Sequence, residues 1–318
     1  MKLCITGAFG YIGSRLIRNL SIKGLEKVYL VDNLSVQGYT PFYLFELPNN
    51  NFVFEQIDIL SEKMEQIVKE CDVVVHLAAY TNAEASVTAT EMAKRNNTEG
   101  TAYIAKLCCK YGKSLVFPST TSIYATSKSI VSEDCEKSDI GPQSPYGESK
   151  LKSERYLQNL AKNKKLSCVI LRFGSMFGYS VGMRLHTAIN KFIWQASNGQ
   201  ELRIWTTALN QRRPYCALED GINAINYVIN KKIFDGNVYN IVTTNVTVKE
   251  ILDVIIGYVP KIKIKFIKSA IMNNLSYIVS NKKSIKKGFV YGGNLEKSIL
   301  ECLRKLKNVN FKVKKSFE

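Results

Sequence analysis

The chain has 318 residues, 46% of them hydrophobic, which suits one large or two interlocked domains with a sizeable core. No apolar run of about 18 residues marks a membrane span. The eight cysteines form no CxxC pair and only two histidines accompany them, which excludes a recognisable metal centre. Lys and Arg (44) outnumber Asp and Glu (27) for a net charge of +17, yet the lysines cluster at 162–165, 282–287 and 312–315 without an aromatic-interleaved motif. No nucleic-acid or membrane partner is therefore expected. MKLCITG already reads as a strand, so the expectation is a soluble, cytoplasmic protein with reduced thiols.

Residues 2–6 (KLCIT) run into Gly7-Ala8-Phe9-Gly10-Tyr11-Ile12-Gly13 and then into the helical SRLIRNLSIKG. In a strand–turn–helix unit Gly7 permits the tight turn and Gly10 lets the backbone approach a pyrophosphate. Gly13 lets helix meet strand, and the helix N-terminus offers N–H groups to the anion. The spacing is GxxGxxG, and in the form TGAFGYIG it resembles the extended short-chain dehydrogenase/reductase family of nucleotide-sugar epimerases and dehydratases. The resemblance implies an α/β fold with a doubly wound parallel Rossmann sheet that binds NAD (1–174) and carries the catalytic residues. A smaller C-terminal α/β substrate-binding domain (175–305) follows, with segments around 210–242 as candidates to return to the first. Residues 306–318 read as a basic tail. Phe9, Tyr11 and Ile12 join the glycines as implied cofactor contacts.

A second strand, Lys27 to Val31, ends on Asp32, about 20 residues past the glycines, where a carboxylate can bond both adenosine-ribose hydroxyls and repel a 2′-phosphate. This favours NAD over NADP, with Asn33 beside it. After the strand Phe52 to Gln56 come Asp58 and Ile59, which resemble the family's adenine-contacting pair. The fourth strand, Asp72 to His76, leads into Leu77-Ala78-Ala79, small enough for the chain to pass close under the cofactor. His76 is read as a packed strand-end residue with no chemistry. Asn97, in NNTEGT, resembles the asparagine of the family's NVxGT segment, which steadies the turn beside the active-site strand; Asn96 competes for that place.

A helix, Gly100 to Tyr111, and a strand, Ser114 to Pro118, deliver Ser119-Thr120-Thr121-Ser122-Ile123-Tyr124. The residues alone leave Thr120, Thr121 and Ser122 open. The resemblance to SSxxVYG implies that Thr120 bonds the substrate hydroxyl and orients a catalytic tyrosine, with Thr121 also at the substrate. That tyrosine is Tyr146, in Tyr146-Gly147-Glu148-Ser149-Lys150, which opens a helix. Tyr and Lys four apart lie one turn apart on one face. An ammonium held there would draw the phenol's pKa down from about 10 and make it a general base.

The strand Ser167 to Phe173 continues into LRFGSMFG, which resembles LRxxNVYG but has Ser175 where the family has its substrate-binding asparagine. Residues 179–201 read as an amphipathic helical stretch and Leu202 to Trp205 as a strand. QRRPYCALED resembles QxRDFVYVDD, which maps the diphosphate-pairing arginine to Arg213, with Pro214 in place of the usual Asp.

The family's dehydratases carry an Asp-Glu pair directly after the threonine, and its decarboxylases a Glu at the second of those positions. Here they are Thr121 and Ser122. The cycle left is oxidation of a sugar carbon by NAD, rotation, and re-reduction on the opposite face. The resemblance thus implies an NAD-dependent nucleotide-sugar epimerase acting at C4, with Tyr146 as base and acid. Lys150 would lower its pKa and hold the nicotinamide ribose, and Thr120 would align the substrate. The alternatives are a reductase or dehydrogenase of an activated keto-sugar or other carbonyl compound, and a non-catalytic NAD sensor on the same fold. A homodimer through the helices at about 90–111 and 146–163 is also implied.

Overall fold

The computed structural model describes residues 1–36, 51–83, 85–126, 128–268 and 276–306. The expected basic tail, from 307 on, lies outside the described residues. In chain order the strands are β1 (Lys2–Thr6), β2 (Lys27–Asp32), β3 (Phe52–Gln56), β4 (Val73–His76), β5 (Ser114–Thr120), β6 (Ile130–Val131), β7 (Ser167–Phe173), β8 (Ser175–Phe177), β9 (Leu202–Trp205), β10 (Arg212–Ala217), β11 (Asp235–Ile241), β12 (Thr244–Thr247), β13 (Ile264–Ile267) and β14 (Ile278–Val279). Seven of them form one sheet in the order β11-β7-β5-β4-β1-β2-β3, paired in parallel throughout.

Strands such as VVVH of β4 are apolar without alternation because helices cover both faces of a parallel sheet. One face buries Leu3, Ile5, Leu30, Val75 and Leu171 against the helices Tyr11–Arg18 and Leu218–Asn230. The other buries Cys4, Val74, Phe117 and Ile170 against Lys63–Glu70, Gly100–Tyr111 and Pro145–Lys162. Six of the eight cysteines are buried and all are free thiols. The strand order reverses between β1 and β4, so a crevice opens at the carboxyl ends of these strands, where doubly wound sheets bind ligands.

A separate apolar cluster joins Phe177, Ile193, Leu202, Ile251 and Cys302, built from the helices Ala188–Ser197, Val248–Tyr258 and Leu295–Leu306 with β8–β10. The short sheets β12-β10-β8 and β13-β9 belong to this end of the chain, whereas β11 is the edge strand of the large sheet.

One expected element is corrected. Residues 179–201 do not form a continuous helix: only Ala188–Ser197 is helical, and the residues before it form a loop laid over the first glycine turn. Gly182 sits so close that a Cβ there would stand 2.7 Å from the Gly10 carbonyl oxygen, and its amide donates to Ser14 Oγ at 3.2 Å. Tyr11 Oη donates to the Gly178 carbonyl at 2.7 Å, and Ser14 and Ser180 share a hydroxyl–hydroxyl bond. These long-range bonds set the loop's path, and side-chain periodicity does not register them.

Candidate active site

The glycine turn begins at Gly7, whose φ of +67° is in the left-handed region. A Cβ at Gly7 would lie 2.6 Å from the Ala78 amide, so only hydrogen permits the close crossing of the β1 and β4 ends. Gly10 is the N-cap of Tyr11–Arg18 and offers no capping side chain, which leaves the first amides of that helix for an anion. Gly13 is buried in the first turn, against the Gly7 and Ala8 carbonyls.

Asp32 ends β2 with both carboxylate oxygens engaged: Oδ2 accepts from the Phe9 amide at 2.9 Å and Oδ1 from the Leu34 amide at 2.8 Å. Burial pushes its carboxyl up, and the two amides work against that shift. Asn33 Nδ2 donates to Asp58 Oδ2 at 3.2 Å, and Asp58 also pairs with Arg95. Ile59 is buried against Gly100. Asp32, Asn33, Asp58 and Ile59 thus gather at the carboxyl ends of β2 and β3, one step along the sheet from the glycine turn.

From that turn a cavity extends over the ends of β4 and β5. Gly7, Gly10, Tyr11, Ile12 and Gly13 line it together with Leu77, Ala79, Ser119, Thr120, Tyr146 and Lys150, and Ser175 and Arg184 join them in the wall. A bare glycine cradle and a helix N-terminus in the cavity, with the Asp32 carboxylate one strand away beside the turn, fit a dinucleotide with its pyrophosphate on the turn. Ala78 stays behind the wall, where its amide donates to Thr6 Oγ1 at 3.3 Å. His76 is buried between the Thr6 and Thr101 hydroxyls, and burial lowers its pKa to about 3, so it is a neutral packed residue.

Tyr146 enters the cavity because its helix starts there: Ser144 caps the N-terminus by accepting from the Gly147 amide at 3.2 Å, and Pro145 occupies the first turn. Asn97, fully buried in the π-helical segment Lys94–Glu99, braces the same turn. Its amide nitrogen donates to the Tyr80 carbonyl at 2.8 Å and to Ser149 Oγ at 2.9 Å, and its oxygen accepts from the Tyr80 amide at 2.7 Å. Asn96 only accepts from Arg95.

Burial raises the Tyr146 phenol above its ordinary value, and the lowering influences are the Arg184 charge and a hydrogen bond from Thr120. Lys150 is not among these influences. Lys150 Nζ donates to the Pro118 carbonyl at 2.8 Å and lies 4.4 Å from the Phe117 ring centroid. Burial brings its own pKa down to about 7, opposed by the Glu154 carboxylate one turn on.

Two expected substrate contacts fall outside the wall. Thr121 is buried in the turn Thr121–Ile123, and Ser122 lines the cavity in its place. Arg213 lies on β10 two residues before Tyr215, the partner of Ser175, with its guanidinium over the Tyr277 ring at 5.3 Å. Sequence reasoning missed Arg184, Thr187 and Ser119, which line the cavity. Arg184 and Thr187 carry no motif and sit where a helix was expected.

The model of the NAD dependent epimerase/dehydratase family matches residues 3–242. A dTDP-D-glucose 4,6-dehydratase of Dictyostelium discoideum is 32% identical over 76% of this chain and 58% of its own length. A UDP-glucose 4-epimerase of Bacillus subtilis is 31% identical over 56% of this chain and 53% of its own. The chain thus spans little more than half the length of either relative. The crystal structure of a UDP-glucuronic acid 4-epimerase from Bacillus cereus, with UDP-glucuronic acid and NAD, superposes with a TM-score of 0.86 at 25% identity, over 96% of this chain and 99% of that one.

Proposed function

Since the chain belongs to the NAD dependent epimerase/dehydratase family, we propose that it is a nucleotide-sugar epimerase that inverts C4. The observation that carries this reading is the cavity itself. It holds Tyr146, Thr120 and Lys150 beside the glycine cradle, and no Asp or Glu is among the described residues of its wall. A dehydratase needs a further acid and base at the sugar, and the two positions after Thr120 supply only hydroxyls. The B. subtilis and B. cereus epimerases support the same reading.

Gly7, Gly10, Gly13 and the helix N-terminus would hold the NAD pyrophosphate, Asp32 the adenosine ribose, and Lys150 the nicotinamide ribose. Bound NAD supplies the hydride acceptor, and in its reduced form the donor. Tyr146 takes the proton from the C4 hydroxyl and later returns it, because its Oη is a titratable oxygen in the cavity wall beside Thr120. Thr120 orients both the phenol and the substrate hydroxyl. The loop before Ala188–Ser197 covers the glycine turn and limits water at the exchanging carbon.

Among the described residues no helix is long and apolar enough to cross a membrane. The reading extends to a cytoplasmic homodimer, and the exposed apolar residues Val87 and Met92, on the short helices that pack beside Pro145–Lys162, support the dimer. The test is to incubate the protein with UDP-, GDP-, CDP- and dTDP-sugars while following products and absorbance at 340 nm. A C4 stereoisomer without net NADH change supports epimerisation, whereas stoichiometric change in NADH supports the reductase or dehydrogenase alternative.

A further inference from the structure

Tyr146 is gripped by its backbone on both sides. Its amide donates to Ser86 Oγ at 3.2 Å, and the same hydroxyl donates to the Ala83 carbonyl at 2.7 Å. Its carbonyl accepts from Ser149 Oγ at 2.7 Å, and Ser149 accepts from Asn97, whose side chain also bonds both the N–H and the C=O of Tyr80. The bonds thus close a ring: Tyr80, Asn97, Ser149, Tyr146, Ser86, Ala83, and back along the chain to Tyr80. Ser86 and Asn97 are fully buried. Thr81, Asn82 and Ala83 line the same cavity as Tyr146, so the ring joins two parts of the wall that come from distant stretches of chain. The first amides of a helix find no acceptor within it. Ser144 takes the Gly147 amide and Pro145 has no N–H, which leaves the Tyr146 amide to an acceptor from outside. A serine suits that place, because one hydroxyl can accept from Tyr146 and donate to Ala83 at once.

We infer that Ser86 is a positioning residue for the reaction: through this ring it fixes the Tyr146 backbone against the wall segment 81–83 and so sets where the phenol stands. The inference rests on reading Tyr146 as the base at C4. Ser144 and Pro145 start the helix, and Ser86 sets where that start lies relative to the rest of the wall. The phenol oxygen is at the far end of a rigid ring, so a small turn of the backbone moves it further than it moves the Cα. Proton transfer needs its heavy atoms within hydrogen-bond reach, and a misplacement of about 1 Å can cost about 10²-fold in rate.

The experiment combines amide exchange with a double-variant cycle, both on the NAD-loaded protein. In protein labelled with nitrogen-15 tyrosine, the Tyr146 amide signal is identified by its loss from Tyr146→Phe. Ser86→Ala should speed exchange of that amide by at least about 10-fold while the amides of the other tyrosines change by less than about twofold. With UDP-glucose and UDP-glucuronate as trial substrates, Ser86→Ala should lower kcat by about 10–100-fold in the wild-type background. In Tyr146→Phe, where the group it positions is gone, the same change should lower kcat by less than about twofold. An unchanged Tyr146 amide overturns the inference, and so does one that speeds up together with all the other tyrosines, which is the mark of a general loosening. An equal loss of kcat in both backgrounds also overturns it, because Ser86 would then act elsewhere. The exchange readout needs no turnover, so a protein that inverts neither sugar would lose the epimerase reading while exchange still decides whether Ser86 holds Tyr146.

Discussion

Glu154, one turn beyond Lys150 on the helix Pro145–Lys162, grips the Arg172 guanidinium through both carboxylate oxygens at 2.7–3.1 Å, with both side chains buried. Arg172 also donates to Tyr124 Oη at 2.7 Å, and Tyr124 donates to Asn240 Oδ1 at 2.9 Å. The helix that carries Tyr146 and Lys150 is thereby tied to β7, to the turn after β5 and to β11. Removing one partner of a buried pair strands the other charge, so Glu154→Gln should cost about 3–5 kcal/mol in urea unfolding. The apolar double variant Glu154→Leu/Arg172→Met should recover more than half of that loss; a double variant as unstable as the single one would contradict the account.

Lys150→Met should stabilise the cofactor-free protein in a pH-dependent way while abolishing turnover. The lysine titrates near 7 when folded, below its ordinary value of 10.5. As pH falls from about 10.5 to 7 the unfolded chain takes up a proton that the folded chain does not, so the native protein loses stability across that window. The penalty is complete below pH 7. The advantage of the Met variant should be close to zero above pH 10.5 and reach about 2–5 kcal/mol at pH 6.5. A constant difference across pH would show that Lys150 is not held in a desolvated site.

Tyr146→Phe removes the titratable oxygen without changing the packed ring. It should lower kcat by about 10²–10⁴-fold while the protein still purifies with bound NAD. Thr120→Val should shift the acid limb of the pH–rate profile upward, because it deletes the hydrogen bond that lowers the phenol's pKa. An unshifted limb would mean that another group sets it.

Gly7→Ala places a methyl 2.6 Å from the Ala78 amide at a φ of +67°. Neither atom set can retreat, because both belong to backbone at strand ends. The variant should lose about 1–3 kcal/mol and be isolated largely free of NAD, as read by absorbance ratio and bound-nucleotide analysis.

The glycine-turn region of the cavity was legible in the sequence because each of its parts is a local pattern at a strand end: the glycines after β1 and Leu77 and Ala79 after β4, with Asp32 nearby at the end of β2. Tyr146, Lys150 and Asn97 were legible through spacing and family resemblance. The wall contributed by residues 184–187 was not. Residues 179–187 look helical by apolar pattern, but the Gly182–Gly10 approach and the Ser14–Ser180 and Tyr11–Gly178 bonds override it, and these join segments more than 160 residues apart. Arg184 reaches the cavity only because of that loop. The i, i+4 spacing of Tyr146 and Lys150 was read correctly as a shared face, but a shared face does not decide a hydrogen bond, and the Pro118 carbonyl takes the ammonium.

The central claim is that the hydrogen at C4 leaves and returns within one closed site. The most direct measurement starts from a nucleotide sugar deuterated at C4 and follows label and stereochemistry by NMR and mass spectrometry in ordinary water. The account predicts that the inverted product keeps the C4 deuterium, with no loss to solvent and no lasting absorbance at 340 nm. Washout of the label, or a C4 hydrogen drawn from water, would contradict it.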